Sequence, residues 1–101
     1  MKIFCGSTSK ELTSDIIRYL NNELDQTIIL GDLKIDYFSD GEILPMFNES
    51  IRDKDIFFVQ STISSNSIME TLLVIDASKR AGCKSFTLVA PFQGYSRQDK
   101  T

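Results

Sequence analysis

A chain of 101 residues, 42% apolar and 25% charged, has the makeup of one folded domain and excludes a wholly disordered segment. Its formal net charge of -3 offers no basic face for nucleic acid, and no apolar run approaches the roughly 20 residues of a membrane span. Histidine is absent, which removes the commonest general base and metal ligand, and two cysteines alone cannot complete a four-ligand zinc site.

Taken in order, residues 2–5 read as a first strand that turns polar too soon to be a signal-peptide core, so cytoplasm is the default location. Gly6-Ser7-Thr8-Ser9 is a turn that also supplies a helix cap. Phosphate binding there is the second reading, but the turn lacks the glycine spacing of a dinucleotide loop and the Gly-Lys-Ser/Thr of a P-loop. Leu12, Ile16, Tyr19 and Leu20 recur at helical steps and predict a helix over residues 10–21. Residues 27–30 have strand character, and Leu33 to Phe38 reads as a strand. Asp40-Gly41 favours a tight reversal into a return strand over residues 43–47, which Pro45 confines to an edge or a bulge.

Asp55-Ile56-Phe57-Phe58-Val59-Gln60 suits a strand buried on both faces of a parallel sheet. Ser64-Ser65-Asn66-Ser67 offers helix caps, and Ile68, Leu72 and Ile75 with Met69 and Leu73 predict the apolar face of a helix over residues 67–81 that Gly82 ends. A last buried strand, Ser85 to Ala90, stops at Pro91 and opens into an aromatic, charged loop. Strands alternating with helices predict an α/β fold: three layers, a mostly parallel sheet with helices on both faces. In such sheets ligands bind beyond the carboxyl ends of the strands.

Two stretches carry recognisable chemistry. Phe38-Ser39-Asp40-Gly41-Glu42 sets an aromatic face beside two carboxylates on a glycine-bent turn, a set able to stack on a base and accept hydrogen bonds from its amino group or from ribose hydroxyls. Read plainly, it is a hairpin tip with solvated acids. Arg97-Gln98-Asp99-Lys100 offers a guanidinium for bidentate phosphate contact; its plain reading is a solvated tail. Ser61-Thr62 with Ser64-Ser65-Asn66 lies between a buried strand and a helix N-terminus, where anions bind well but capping is the simpler role, and Glu49, Arg52, Asp53 and Lys54 read as a solvated loop of mixed charge.

The ordered set is more specific than any one stretch. Lys2-Ile3-Phe4-Cys5-Gly6-Ser7, Phe38-Ser39-Asp40-Gly41-Glu42, Glu49-Ser50-Ile51-Arg52-Asp53-Lys54-Asp55, Val59-Gln60-Ser61-Thr62, Met69-Glu70-Thr71-Leu72-Leu73, Ile75-Asp76-Ala77-Ser78-Lys79-Arg80-Ala81 and Gly94-Tyr95-Ser96-Arg97-Gln98-Asp99-Lys100 resemble the ribose-phosphate pyrophosphokinases along the whole chain. The resemblance implies a phosphoribosyltransferase-like fold in two similar domains, of which this is the N-terminal one. It implies transfer of the β,γ-diphosphoryl group of ATP to ribose 5-phosphate, with magnesium, giving phosphoribosyl pyrophosphate and AMP. Phe38, Asp40 and Glu42, with Gly41 allowing the bend, fall where the family contacts adenine from a neighbouring subunit, and Arg97 and Gln98 where it binds ATP from the other. A homo-oligomer follows, with ribose 5-phosphate bound only together with a C-terminal domain.

The family's metal-binding histidine, second metal-binding aspartate, catalytic basic loop and ribose-phosphate loop have no counterpart in these residues, so no catalytic or metal-binding residue is nominated and the expected fragment is inactive alone. Tyr37 departs from a family position that is often basic. Two other readings stand beside this one: a non-catalytic regulatory or oligomerisation module of the same family, and an unrelated doubly wound module whose polar turns are structural.

Overall fold

The computed structural model describes residues 1–25, 27–62 and 64–91. The elements run β1 (Lys2–Cys5), α1 (Lys10–Leu24), β2 (Leu33–Tyr37), β3 (Ile43–Phe47), β4 (Asp55–Val59), α2 (Ser65–Arg80) and β5 (Ser85–Val89). Two parallel pairings build a sheet in the order β1-β4-β5, with Phe4 beside Phe58 and Ile56 beside Phe86. Its central strand, β4, carries the unbroken apolar run, and Ile56, Phe58 and Val59 are buried. A middle strand has a sheet neighbour on each side and can be apolar on both faces.

β2 and β3 form a separate antiparallel hairpin, Leu33 opposite Phe47 and Tyr37 opposite Ile43. Pro45 is tolerated because this sheet has two strands and both are edges. The core joins Phe4, Ile51, Ile56, Phe58 and Val74 of α2, with Leu33, Ile35 and Phe47 of the hairpin packed against them. Phe4 and Phe47 meet edge to face with centroids 5.0 Å apart, so the hairpin shares one face of the sheet with α2. Cys5, of opposite parity on β1, lies beside Thr13 and Lys10 of α1, and burial pushes its thiol above the ordinary value. The α/β class with a mostly parallel sheet is as predicted.

Four details differ. Residues 27–30 make a single bridge, Leu30 to Ile3, instead of a strand. β5 is an edge strand with Leu88 exposed and was expected to be buried; among the described elements only β4 flanks it. Ser9 begins α1 without a side-chain cap and instead accepts the Ser61 amide at Oγ, 3.1 Å.

The fourth concerns α2. The residues it buries are Ser67, Glu70, Thr71, Val74 and Ser78, whereas Met69 and Leu72, expected on its core face, are half exposed. Hydroxyls can face inward because Thr71 donates to the Ser67 carbonyl and Ser78 to the Val74 carbonyl, both at 2.8 Å. The helix starts at Ser65, two residues before the expected 67, and of the four capping candidates Ser64 is the cap, in a reciprocal capping box with Ser67.

Candidate functional site at the carboxyl end of the sheet

The carboxyl ends of β1 and β4 and the tip end of the hairpin converge on one side chain. Glu70, 0% exposed, projects from the buried face of α2. Its Oε2 accepts the Ser7 amide (2.9 Å) and Gln60 Nε2 (2.6 Å); its Oε1 accepts the Ser7 hydroxyl (2.7 Å) and the Tyr37 hydroxyl. Gln60 is equally buried and passes the chain on, its Oε1 accepting the Thr8 hydroxyl at 2.7 Å. The Gln60 amide donates to the Val89 carbonyl, so β5 ends beside the same cluster.

Among the described residues no ion pair reaches Glu70. A buried carboxylate without a cation needs several directed donors to offset its lost hydration, and four neutral ones supply them. The tyrosine answers in kind: desolvation first, and then its bond to Glu70, hold the Tyr37 hydroxyl above its ordinary value. Gly6 makes this packing possible, because a Cβ there would overlap the Gln60 side chain.

The nominated turn follows Tyr37 directly. Phe38 donates its amide to the Glu42 carbonyl at 2.9 Å, and Gly41 returns its own to the Phe38 carbonyl at 3.0 Å. This three-residue hairpin loop needs a left-handed residue, and Gly41 adopts φ 90°. Asp40 Oδ1 accepts the Glu42 amide at 3.0 Å, so part of that carboxylate shapes the turn. Phe38 is 46% exposed, and Asp40, Gly41 and Glu42 are exposed with it. The structure therefore brings Phe38, Asp40, Gly41 and Glu42 together at one tip. Arg97 and Gln98 lie outside the described residues, as do Asp99 and Lys100.

A cleft of about 700 Å³ opens between the β1–α1 turn and β2, lined by Cys5, Ser7, Lys10, Asp32, Lys34 and Asp36 among others. None of the nominated turn residues line it. Among the described residues no three of Cys, Asp and Glu gather to hold a metal ion. No helix is long and apolar enough to cross a membrane.

Composition gave little warning of Glu70. The available signal was an acid, Glu70, set in the stripe of Ser67, Thr71, Val74 and Ser78, small or polar side chains opposite the apolar stripe, while the helix's other acid, Asp76, is exposed.

The family described as the N-terminal domain of ribose phosphate pyrophosphokinase matches residues 1–101. The chain is 40% identical over 102 aligned residues to the ribose-phosphate pyrophosphokinase of Thermotoga maritima, covering 99% of this chain and 30% of that protein. It is 43% identical to that of Clostridium perfringens with the same coverage. Among solved structures, phosphoribosylpyrophosphate synthetase from Mycobacterium smegmatis superposes with a TM-score of 0.76 at 32% identity, covering 99% of this chain and 32% of that one. The hypoxanthine-guanine phosphoribosyl transferase of L. donovani, at 17% identity, TM-score 0.64, 87% of this chain and 50% of that one, is alike in fold alone. The chain thus spans about 30% of the length of the curated relatives it matches.

Proposed function

The chain belongs to the ribose-phosphate pyrophosphokinase family, as its N-terminal domain, and on that premise we propose that it supplies the nucleotide-contacting face of a ribose-phosphate diphosphokinase. The substrates are ATP and ribose 5-phosphate, and the products phosphoribosyl pyrophosphate and AMP. The observation that carries this reading is the tip of the β2–β3 hairpin. Phe38 exposes a ring face, and Asp40 and Glu42 place acceptors beside it, on a turn that hydrogen bonds hold in one shape. A ring and two acceptors are what an adenosine requires: a stacking surface and partners for an amino group or sugar hydroxyls. Arg97 and Gln98 are proposed to meet ATP from another subunit, which makes the protein a cytoplasmic homo-oligomer with the nucleotide at a subunit boundary.

Diphosphoryl transfer depends on positioning and on neutralising charge. The described residues contribute the first: they hold and orient the base. Magnesium supplies the neutralising charge when bound, and ribose 5-phosphate binding belongs to a C-terminal domain. We therefore assign residues 1–101 to one domain that does not turn over alone. Half-exposed Met69 and Leu72 favour a second reading, a regulatory or oligomerisation module of the same family.

The test is a titration of the protein with ATP and magnesium followed by two-dimensional NMR. Shifts clustered at Phe38 to Glu42 and at Arg97 and Gln98 are expected. Phe38→Ala should weaken ATP by about 1–3 kcal/mol through lost stacking. Unchanged affinity in calorimetry removes the adenine assignment, and no shifts at millimolar ATP puts the non-catalytic module ahead.

A further inference from the structure

We propose that Glu70 is a positioning residue for the hairpin tip: through the Tyr37 hydroxyl it fixes the direction in which Phe38, Asp40 and Glu42 are presented. The inference rests on the nucleotide reading above and extends it to a residue that touches no ligand.

Among the described residues the β2–β3 hairpin is a sheet of its own, joined to the three-stranded sheet by no ladder between strands. Its attachments lie at opposite ends. At the base, Glu49 accepts Lys2 Nζ on β1 at 2.5 Å and the Asp32 amide at 2.6 Å, and Asn48 donates its amide to the Asp32 carbonyl at 2.9 Å. At the tip, Tyr37 reaches Glu70 on α2. Between them the contacts are apolar, Leu33, Ile35 and Phe47 packing on the core, and at the tip Ile43, opposite Tyr37, is buried as well. Apolar contact holds the hairpin down without fixing its heading, since it has no preferred direction. A hydrogen bond weakens steeply with angle and so sets one. With the base held by Glu49, the Tyr37–Glu70 bond adds a directional restraint to the apolar packing of the tip.

The site is built so that this tether can be tested alone. Tyr37→Phe keeps the ring and removes only the hydroxyl. Glu70 is not orphaned, because Oε1 keeps the Ser7 hydroxyl and Oε2 keeps the Ser7 amide and Gln60. Glu70→Ala, in contrast, removes the acceptor of all four donors at once, the buried Gln60 amide among them, and so does not isolate the tether.

The experiment is amide hydrogen exchange on the protein and on Tyr37→Phe, together with calorimetric titration by ATP and magnesium. The variant should exchange about tenfold faster at Phe38 and Gly41, the amides that close the turn, with Phe4 and Phe58 unchanged. Its ATP affinity should fall several-fold. Glu49→Gln is the spatial control: exchange should rise at Asp32 and Asn48 and stay as it was at Phe38 and Gly41. Unchanged tip exchange, or a uniform rise across the core, overturns the tether. A faster tip with undiminished ATP affinity overturns its positioning role. An unmodified protein that shows no ATP response at residues 38–42 overturns the nucleotide reading instead, while the exchange result still decides whether Glu70 holds the tip.

Discussion

Two buried or half-buried carboxylates do different work in this chain, and their surroundings explain why. Among the described residues Glu70 has only neutral donors and is sealed in the core; Glu49 is 26% exposed and has a cation, Lys2, itself 36% exposed. The Lys2 ammonium first, and the Asp32 amide second, hold the Glu49 carboxyl below its usual 4.5. A depressed folded value means that the unfolded chain takes up protons first as pH falls. The stability Glu49 contributes is therefore whole above about 4.5 and is lost as pH drops through the lowered folded value. Glu49→Gln should cost no more than about 1 kcal/mol at pH 7, the scale of a solvent-screened pair, and less near pH 3. Urea denaturation at the two pH values checks this, and a penalty that grows on acidification would contradict the assignment. From local spacing alone Glu49 reads as part of a solvated loop, because its partners stand 17 and 47 positions away.

At the scale of the element, α2 is the instructive case. Its limits to within two residues, a capping stretch at Ser64 to Ser67 and its end before Gly82 were legible, since caps and breakers act through bonds to neighbouring backbone. Its inward face was not. The stripe Ile68, Leu72 and Ile75 is the more apolar, but the stripe through Ser67, Glu70, Thr71, Val74 and Ser78 is the one buried. Small side chains let a helix lie close to its neighbours, and hydroxyls bonded to the preceding turn cost little to bury. The two assignments predict opposite mutant behaviour. Val74→Ala should destabilise by about 2 kcal/mol through lost burial and a cavity, while Leu72→Gln should stay within about 0.5 kcal/mol. Thermal melts that reversed this order would restore the apolar stripe as the core face.

For the whole molecule, the same inversion leaves apolar surface outside. Met69 and Leu72 on α2 and Leu44 and Met46 on the hairpin are each more than two-fifths exposed. Where such side chains adjoin one another, the surface they make marks a meeting place with another protein or domain. Light scattering should show association that rises with concentration, and a Met69→Gln, Leu72→Gln double variant should weaken it. A strictly monomeric species at high concentration in the unmodified protein would count against that surface being an interface. The division into two sheets belongs to this scale too. The hairpin is a separate unit held at both ends, which gives the candidate nucleotide contacts a mount distinct from the parallel sheet.

By itself the sequence determined what depends on near neighbours and on ordered motifs: seven elements in place to within a few residues, the Asp40-Gly41 reversal, the α/β class and the family. Periodicity, caps and turn residues act over a few positions, so they can be read from a single chain. Only the tertiary structure decided which stripe of α2 faces inward, that β5 is an edge, and that Ser7, Tyr37, Gln60 and Glu70, up to 63 positions apart, form one hydrogen-bonded cluster. Burial of a polar group is settled by whether distant partners arrive to satisfy it, and that is a property of the packed chain rather than of any stretch of it.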